Sequence, residues 1–335
     1  MNYIWNESST IKVSSMFSTL RTLFKMTRPK NIAIAVLTLV VGYELLGLQP
    51  GFVLILQTLS FAFAIGFANI QNDILDLESD KLNRPERPLI TGKVTVKAAR
   101  RAWITLFVLM LLCGLGDTIL QNSRTFEIVS ITRDLGYDYP FKWLDYIEFT
   151  FPLWFFVLLG ALLIAYNKWL KHIPLIKNLT VAFLCTTPLL FALQYFYNFL
   201  SIFPEEHLWA IIPAIPFAFL LTTAREIYKD LEDETGDSKA GIMTFPLIAG
   251  PATARRLAGA IILFTWISLP LPVFYLDQIF EHNYPTLFLI ITGITLTPIF
   301  AAILIFAHKK SYRQAQKLVK VAMFVGLIAL IISCN

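Results

Sequence analysis

Nine stretches of this chain are apolar for long enough to cross a lipid bilayer, or nearly so. They fall near residues 31–49, 53–72, 102–120, 150–166, 179–200, 207–224, 257–277, 284–307 and 316–333. A spanning helix needs about 20 predominantly apolar residues. In hydrocarbon no water can satisfy a backbone N–H or C=O, so these groups must be satisfied within helices. The expected fold is therefore all-α and polytopic, with about nine transmembrane helices. Composition agrees: 56% of residues are hydrophobic and only 15% charged, against about a quarter charged in soluble domains. The first two spans join through a short connection around Gly47 to Gly51, and Pro188 is expected to kink or break the fifth. Residues 1–20 read as a polar, loose N-terminal tail without a cleavable signal. Residues 21–335 form one transmembrane domain, with an extracytoplasmic loop at 121–149.

Basic residues then orient the spans. If the tail is inside, 25 of the 28 Lys and Arg residues fall on inner segments, and only Arg124, Arg133 and Lys142 fall outside. The positive-inside rule places the N-terminus in the cytoplasm and, with nine spans, the C-terminus on the far side. The net charge of +5 is thus an orientation signal and does not indicate a nucleic-acid partner.

Two aspartate stripes of identical spacing sit at inner ends of these spans. One is Asp73, Asp76 and Asp80; the other is Asp230, Asp233 and Asp237. Both read i, i+3, i+7, which on a helix places three carboxylates along one face over roughly 10 Å. Asn69 extends the first stripe by one turn and Glu226 the second. Like charges held together call for a cation, and oxygen ligands without His or Cys point to Mg²⁺ or Ca²⁺. Mg²⁺ keeps water and substrate phosphate in its shell, so the pair of stripes suggests a bound diphosphate. The stripes recur four spans apart, a weak internal repeat that suggests two helical halves around one central cavity.

Other signals are bland. Cys113, Cys185 and Cys334 are scattered in or beside apolar spans, and the four histidines are separated. No spacing suggests a disulfide or zinc site.

Asn72-Asp73-x-x-Asp76-x-x-x-Asp80, followed by Asn83-Arg84-Pro85-Glu86-Arg87-Pro88-Leu89-Ile90-Thr91-Gly92, resembles the first signature of the UbiA family of intramembrane prenyltransferases. The run from Arg225 through Lys229, Asp230, Asp233 and Asp237 to Lys239-Ala240-Gly241 resembles the second. Tyr166-x-x-x-x-Lys171 and Asn178 resemble a third polar element. The motifs look most like the branch that makes archaeal-type ether lipids, the digeranylgeranylglyceryl phosphate synthases. Three departures concern Ile90-Thr91 before Gly92, Lys177 before Asn178, and the long 121–149 loop. They leave the prenyl-transfer core intact and leave the acceptor open.

The resemblance implies transfer of a prenyl group from a prenyl diphosphate, such as geranylgeranyl diphosphate, to a membrane-associated acceptor. It implies that Asp73, Asp76, Asp80, Asp230, Asp233 and Asp237 hold Mg²⁺. Asn69, Asn72, Arg84, Lys171, Asn178, Arg225, Lys229 and Lys239 would contact substrate, and Tyr166 would steady the allylic cation or donate a hydrogen bond. Lys229 and Lys239 could instead be surface ion pairs, Tyr166 an interfacial aromatic, and Arg84 and Arg87 orientation charges. The acceptor is either geranylgeranylglyceryl phosphate or an aromatic ring such as a quinone precursor. A divalent-cation carrier is a rival reading, since acidic residues in membranes often mark ion paths. It would place them at midplane, whereas these lie at inner ends. An alcohol phosphotransferase would want a DxxDGxxAR run, which is absent.

Overall fold

The computed structural model describes residues 7–47, 51–134, 150–200, 208–239, 241–273 and 286–333, and every regular element among them is helical. The long helices are α1 (Glu7–Met26), α2 (Pro29–Leu45), α3 (Val53–Leu75) and α5 (Val96–Asp134), with a short α4 (Leu77–Asn83) between the last two. Then come α6 (Phe151–Lys168), a 3₁₀ turn at Leu170–His172, α7 (Ile176–Leu200), α8 (Leu208–Lys239), a short α9 (Phe245–Ala249) and α10 (Pro251–Ser268). The chain ends with α11 (Thr286–Ile290), a π-helical stretch (Ile291–Leu296), α12 (Thr297–His308) and α13 (Tyr312–Ser333).

Seven segments among the described residues are long and apolar enough to cross a membrane: Val53–Leu75, Val96–Ser123, Phe151–Lys168, Ile176–Tyr195, Ile211–Lys239, Leu287–His308 and Tyr312–Ile332. The other two expected spans are helices as well but are weaker candidates. α2 has 17 residues, or about 25 Å of rise. α10 opens with Pro-Ala-Thr-Ala-Arg-Arg, which shortens its apolar part.

Three expectations are corrected. Residues 7–18, read as a loose tail, belong to helix α1, which runs on to Met26. Residues 121–134, read as the start of a loop, continue α5 to Asp134; residues 135–149 lie outside the described residues. Pro188 does not break its span, because α7 continues through it. Proline removes the N–H that would bond the carbonyl four residues back, here that of Leu184. The Thr187 hydroxyl donates to that carbonyl at 2.8 Å, so no acceptor is stranded in the apolar interior.

The helices build two cores. The first joins α2, α3, α5, α6, α7 and the start of α8 around Phe61, Phe67, Phe156 and Phe191. Their rings meet mostly edge to face, as Phe61 does with Phe191 at 5.7 Å and 88°, the geometry a ring quadrupole favours. The second joins the rest of α8 with α10, α12 and α13. α8 therefore passes from one core to the other. α2 and α7 pack closely at Gly42, where a β-carbon would meet Ala192 Cβ at 3.0 Å; small residues allow such approach between membrane helices.

At the end of the bundle away from the aspartate stripes lies a buried polar chain. Tyr43 Oη donates to Gln57 Oε1 at 2.6 Å, and Gln57 Nε2 to Asp117 Oδ2 at 3.0 Å. Gln121 Nε2 donates to Asp117 Oδ1 at 3.2 Å and also bonds Tyr195 Oη. Asp117 and Gln57 are wholly buried. The chain thus ties α2, α3, α5 and α7 together, about 24 Å along α3 from Asp73.

Candidate active site

The first stripe is not one even face. A helix turns 100° per residue, so Asp80 falls within about 20° of Asp73 while Asp76 lies about 60° away. Asp76 is also a junction: α3 ends at Leu75, Asp76 adopts φ −88° and ψ 8°, and α4 begins at Leu77. Hydrogen bonding still runs across it, from Asp76 N to Asn72 O at 2.9 Å and from Asp80 N to Asp76 O at 2.8 Å.

The partners divide accordingly. Asp73 and Asp80, both nearly buried, share the guanidinium of Arg87, whose Nη1 lies 3.0 Å from Asp73 Oδ1 and pairs with Asp80 Oδ2. Arg28 Nη2 reaches the same Asp73 oxygen at 3.2 Å. Asp76 turns away to Lys171 Nζ at 2.5 Å and to Asn72 Nδ2 at 2.8 Å. Lys171 also donates to Asn72 Oδ1 at 3.1 Å. The expected single-face triad is thus a pair plus one.

Arg28 is placed by local strain. It adopts φ 58° and ψ 67° between α1 and α2, with Pro29 opening α2. Left-handed geometry costs a non-glycine residue roughly 1–2 kcal/mol, and such strain gathers at functional sites. Leu175 does likewise at φ 65°, in the connection that carries Lys171 on one side and Lys177 on the other.

The second stripe lies on the unbroken helix α8. Asp230, 3% exposed, accepts from Lys177 Nζ at 2.7 Å and from Asn178 Nδ2 at 2.9 Å. Asp233 is exposed and Asp237 half-buried, and neither has an ion pair among the described residues. Asp237 lies within electrostatic reach of Lys177. The stretch from the 3₁₀ turn into the first turn of α7 therefore serves both stripes, with Lys171 on the first and Lys177 and Asn178 on the second. Tyr166, at the end of α6, lies within electrostatic reach of Glu226, Asp230, Asp76 and Arg28. Carboxylates of both stripes thus act on it.

The other expected substrate contacts have partners of their own or lie exposed. Asn69 Nδ2 donates to the Thr27 carbonyl at 3.0 Å. Arg225 pairs with Glu226, and Lys229 lies 3.9 Å from Glu226. Lys239 is exposed at the end of α8, with no ion pair among the described residues. Arg84 lines a cavity of about 330 Å³ together with Lys25, Met26, Arg28, Asp73, Arg87 and Pro88. Three residues were missed as site contacts: Arg28, Arg87 and Lys177. The Arg-Pro pairs at 28–29 and 87–88 were available as a signal.

No group of three His, Cys, Asp or Glu side chains converges into a ready metal cage among the described residues. The donor set nevertheless suits a hard cation. Its atoms are carboxylate and amide oxygens, and Asn178 Oδ1, beside Asp230, is buried without a partner. A magnesium ion needs one or two protein carboxylates, with water and phosphate completing its shell.

The chain has relatives among known proteins. The sequence profile of the UbiA prenyltransferase family matches residues 33–150 and 146–328. The chain is similar to the digeranylgeranylglyceryl phosphate synthase of Methanopyrus kandleri, at 29% identity over 94% of this chain and 99% of that one. A solved structure described as giving insights into digeranylgeranylglyceryl phosphate synthase in membranes superposes with a TM-score of 0.67. It has 22% identity and covers 94% of this chain and 98% of the other. A UbiA homologue from Archaeoglobus fulgidus bound to DMAPP and Mg²⁺ has a TM-score of 0.52 and 17% identity, covering 92% of this chain and 99% of its own.

Proposed function

The chain belongs to the UbiA prenyltransferase family, and from that premise we propose that it joins a geranylgeranyl group to geranylgeranylglyceryl phosphate in a Mg²⁺-dependent reaction. It is a prenyltransferase, and membership displaces the cation-carrier reading. The observation that carries the proposal is a double tether from the stretch between α6 and the first turn of α7. Lys171 holds Asp76 of the first stripe, Lys177 and Asn178 hold Asp230 of the second, and both aspartates act electrostatically on Tyr166. Relatives that match nearly end to end carry the glyceryl phosphate synthase name, which supports this acceptor over an aromatic one.

The reaction separates charge. The allylic C–O bond breaks with its electron pair moving to the diphosphate, the acceptor hydroxyl bonds to the allylic carbon, and its proton is released. When bound, Mg²⁺ supplies Lewis-acid stabilisation of the departing diphosphate. The carboxylates of Asp73, Asp76, Asp80, Asp230, Asp233 and Asp237 are its proposed holders. Lys171 and Lys177 sit on those carboxylates and are placed to turn towards diphosphate oxygens, where a preorganised cation stabilises developing charge. The Tyr166 ring stands where an allylic cation would gain from its π-face. Asn72 and Asn178 orient Lys171 and Asp230 through their hydrogen bonds. The prenyl chain would lie in an apolar central cavity among nine membrane helices. At about 0.8 kcal/mol per buried CH₂, a 20-carbon chain stays in the membrane throughout.

The assay uses purified protein, Mg²⁺ and labelled geranylgeranyl diphosphate, with geranylgeranylglyceryl phosphate and an aromatic acid as rival acceptors. The expected product is a glyceryl phosphate with two ether-linked chains. Consumption of diphosphate with the aromatic acid alone rejects the ether-lipid reading.

We also propose that the N-terminus and both stripes face the cytoplasm and residues 121–149 the opposite side, in keeping with the 25 to 3 division of basic residues. In a background without the native cysteines, cysteines placed at Ser79 and Ser123 should react with an impermeant thiol reagent from opposite sides. Reaction from the same side would break the nine-span topology.

A further inference from the structure

The proposed chemistry requires the site to hold two anions, the diphosphate of the donor and the phosphate of the acceptor. Only one of them comes with a metal. Lys171 and Lys177 pair with Asp76 and Asp230. Around Asp73, four cations come from three separate elements. Lys25 is in the last turn of α1, where Met26 beside it is buried and packs against Ile70 and Val94. Arg28 is at the left-handed corner before α2. Arg84 caps α4, its N–H bonded to Asp80 O at 2.8 Å, and Arg87 follows in the next turn. These four line one cavity of about 330 Å³ with Asp73, a space of about ten water volumes.

The charges in this cavity do not balance. Arg28 and Arg87 face Asp73, and Arg87 also faces Asp80. Lys25 and Arg84 are exposed and have no acidic partner within ion-pair distance among the described residues. Four positive side chains thus meet two carboxylates. The excess of two matches a phosphate monoester, which carries about two negative charges at neutral pH. Among the described residues no aromatic side chain lines the space.

We propose that this cavity binds the phosphate monoester of the acceptor, with Lys25 and Arg84 as its specificity-determining contacts. The inference rests on the acceptor being a glyceryl phosphate. It takes Arg84 away from the donor diphosphate and assigns Lys171 and Lys177 there. Asp73 then stands between the two anions, shared by the arginines of one and the metal of the other.

The test compares two acceptors that differ only in the phosphate, geranylgeranylglyceryl phosphate and geranylgeranylglycerol, in neutral detergent at fixed Mg²⁺ and donor. Charge-assisted contacts of this kind are strong, so Lys25→Gln and Arg84→Gln should each lower the ratio of kcat/KM for the phosphorylated over the phosphate-free acceptor about tenfold or more. The loss should appear in the acceptor KM and not in the donor KM. Lys81→Gln, on an exposed lysine paired with Glu78, should leave the ratio unchanged. Equal losses on both acceptors, or a rise in the donor KM, would overturn the assignment. Wild-type protein reports on the parent reading first: if it uses an aromatic acceptor and neither glyceryl lipid, that reading fails and this inference fails with it.

Discussion

Asp230→Asn should leave a folded, membrane-inserted protein whose prenyl transfer has fallen by at least about a hundredfold at saturating Mg²⁺. The substitution keeps the shape of the side chain and removes its charge. Asp230 is 3% exposed and is held by Lys177 and Asn178, so its geometry is fixed by more than the metal. A single preorganised group that meets developing charge contributes about 10²–10³ in rate, and a carboxylate on the metal should fall in that range. The substitution also strands Lys177, which is 21% exposed. A melting curve in detergent must therefore accompany the rate. The double variant Asp230→Asn with Lys177→Gln separates the two effects. If removing the lysine restores turnover, Asp230 serves only to neutralise Lys177, and the metal-holding role is lost. Asp73→Asn should behave like Asp230→Asn, with Arg28 and Arg87 as the charges left behind.

Chelation of Mg²⁺ should take product formation to background, and added Mg²⁺ should restore it. The ion pairs make a finer statement about order. Asp76 Oδ1 holds Lys171, and Asp230 Oδ1 holds Lys177. A lone Mg²⁺ must compete with these ammonium groups for the same oxygens. A Mg²⁺–diphosphate complex gives the lysines a new anion as it takes the carboxylates. Binding of metal and diphosphate is therefore coupled, and the coupling is reciprocal. Calorimetric titration should find weak Mg²⁺ binding alone and at least tenfold tighter binding with a non-reactive prenyl diphosphate analogue. Equal affinity with and without the analogue would remove the exchange of partners. Activity that survives thorough chelation would remove the metal.

The fold was legible where a single physical rule acts on a long segment. Apolar length decides the course of α3, α5 and α8, because lipid leaves the backbone no partner but itself. Rules failed where two signals of similar strength compete. In residues 7–18, polarity and the lack of an apolar run suggested a loose tail, yet Leu23 and Met26 pack inward and the helix extends from there. At Pro188 the local rule forecast a kink or a break; the helix does not break, and a threonine one residue earlier bonds the carbonyl the proline leaves open. The site was legible at the carboxylates, whose repeated spacing is rare. It was less legible at their partners. Arg87 lies 7 and 14 residues from the two aspartates it holds, across a turn built on Pro85 and Pro88, and Lys177 belongs to a different helix from Asp230. Sequence spacing encodes neither contact.

The polar chain of Tyr43, Gln57, Asp117 and Gln121 has a consequence for assembly. Apolar helices in lipid gain little from one registry over another, since one leucine packs much like the next. Sliding α5 by one turn, 5.4 Å, would part Asp117 from Gln57 on α3 and Gln121 from Tyr195 on α7, leaving buried polar groups short of partners in hydrocarbon at a cost of several kcal/mol. Only one alignment of α2, α3 and α5 avoids that cost. The chain therefore works as a vernier at the far end of the bundle: matching hydrogen bonds there sets the height at which Asp73 emerges at the near end.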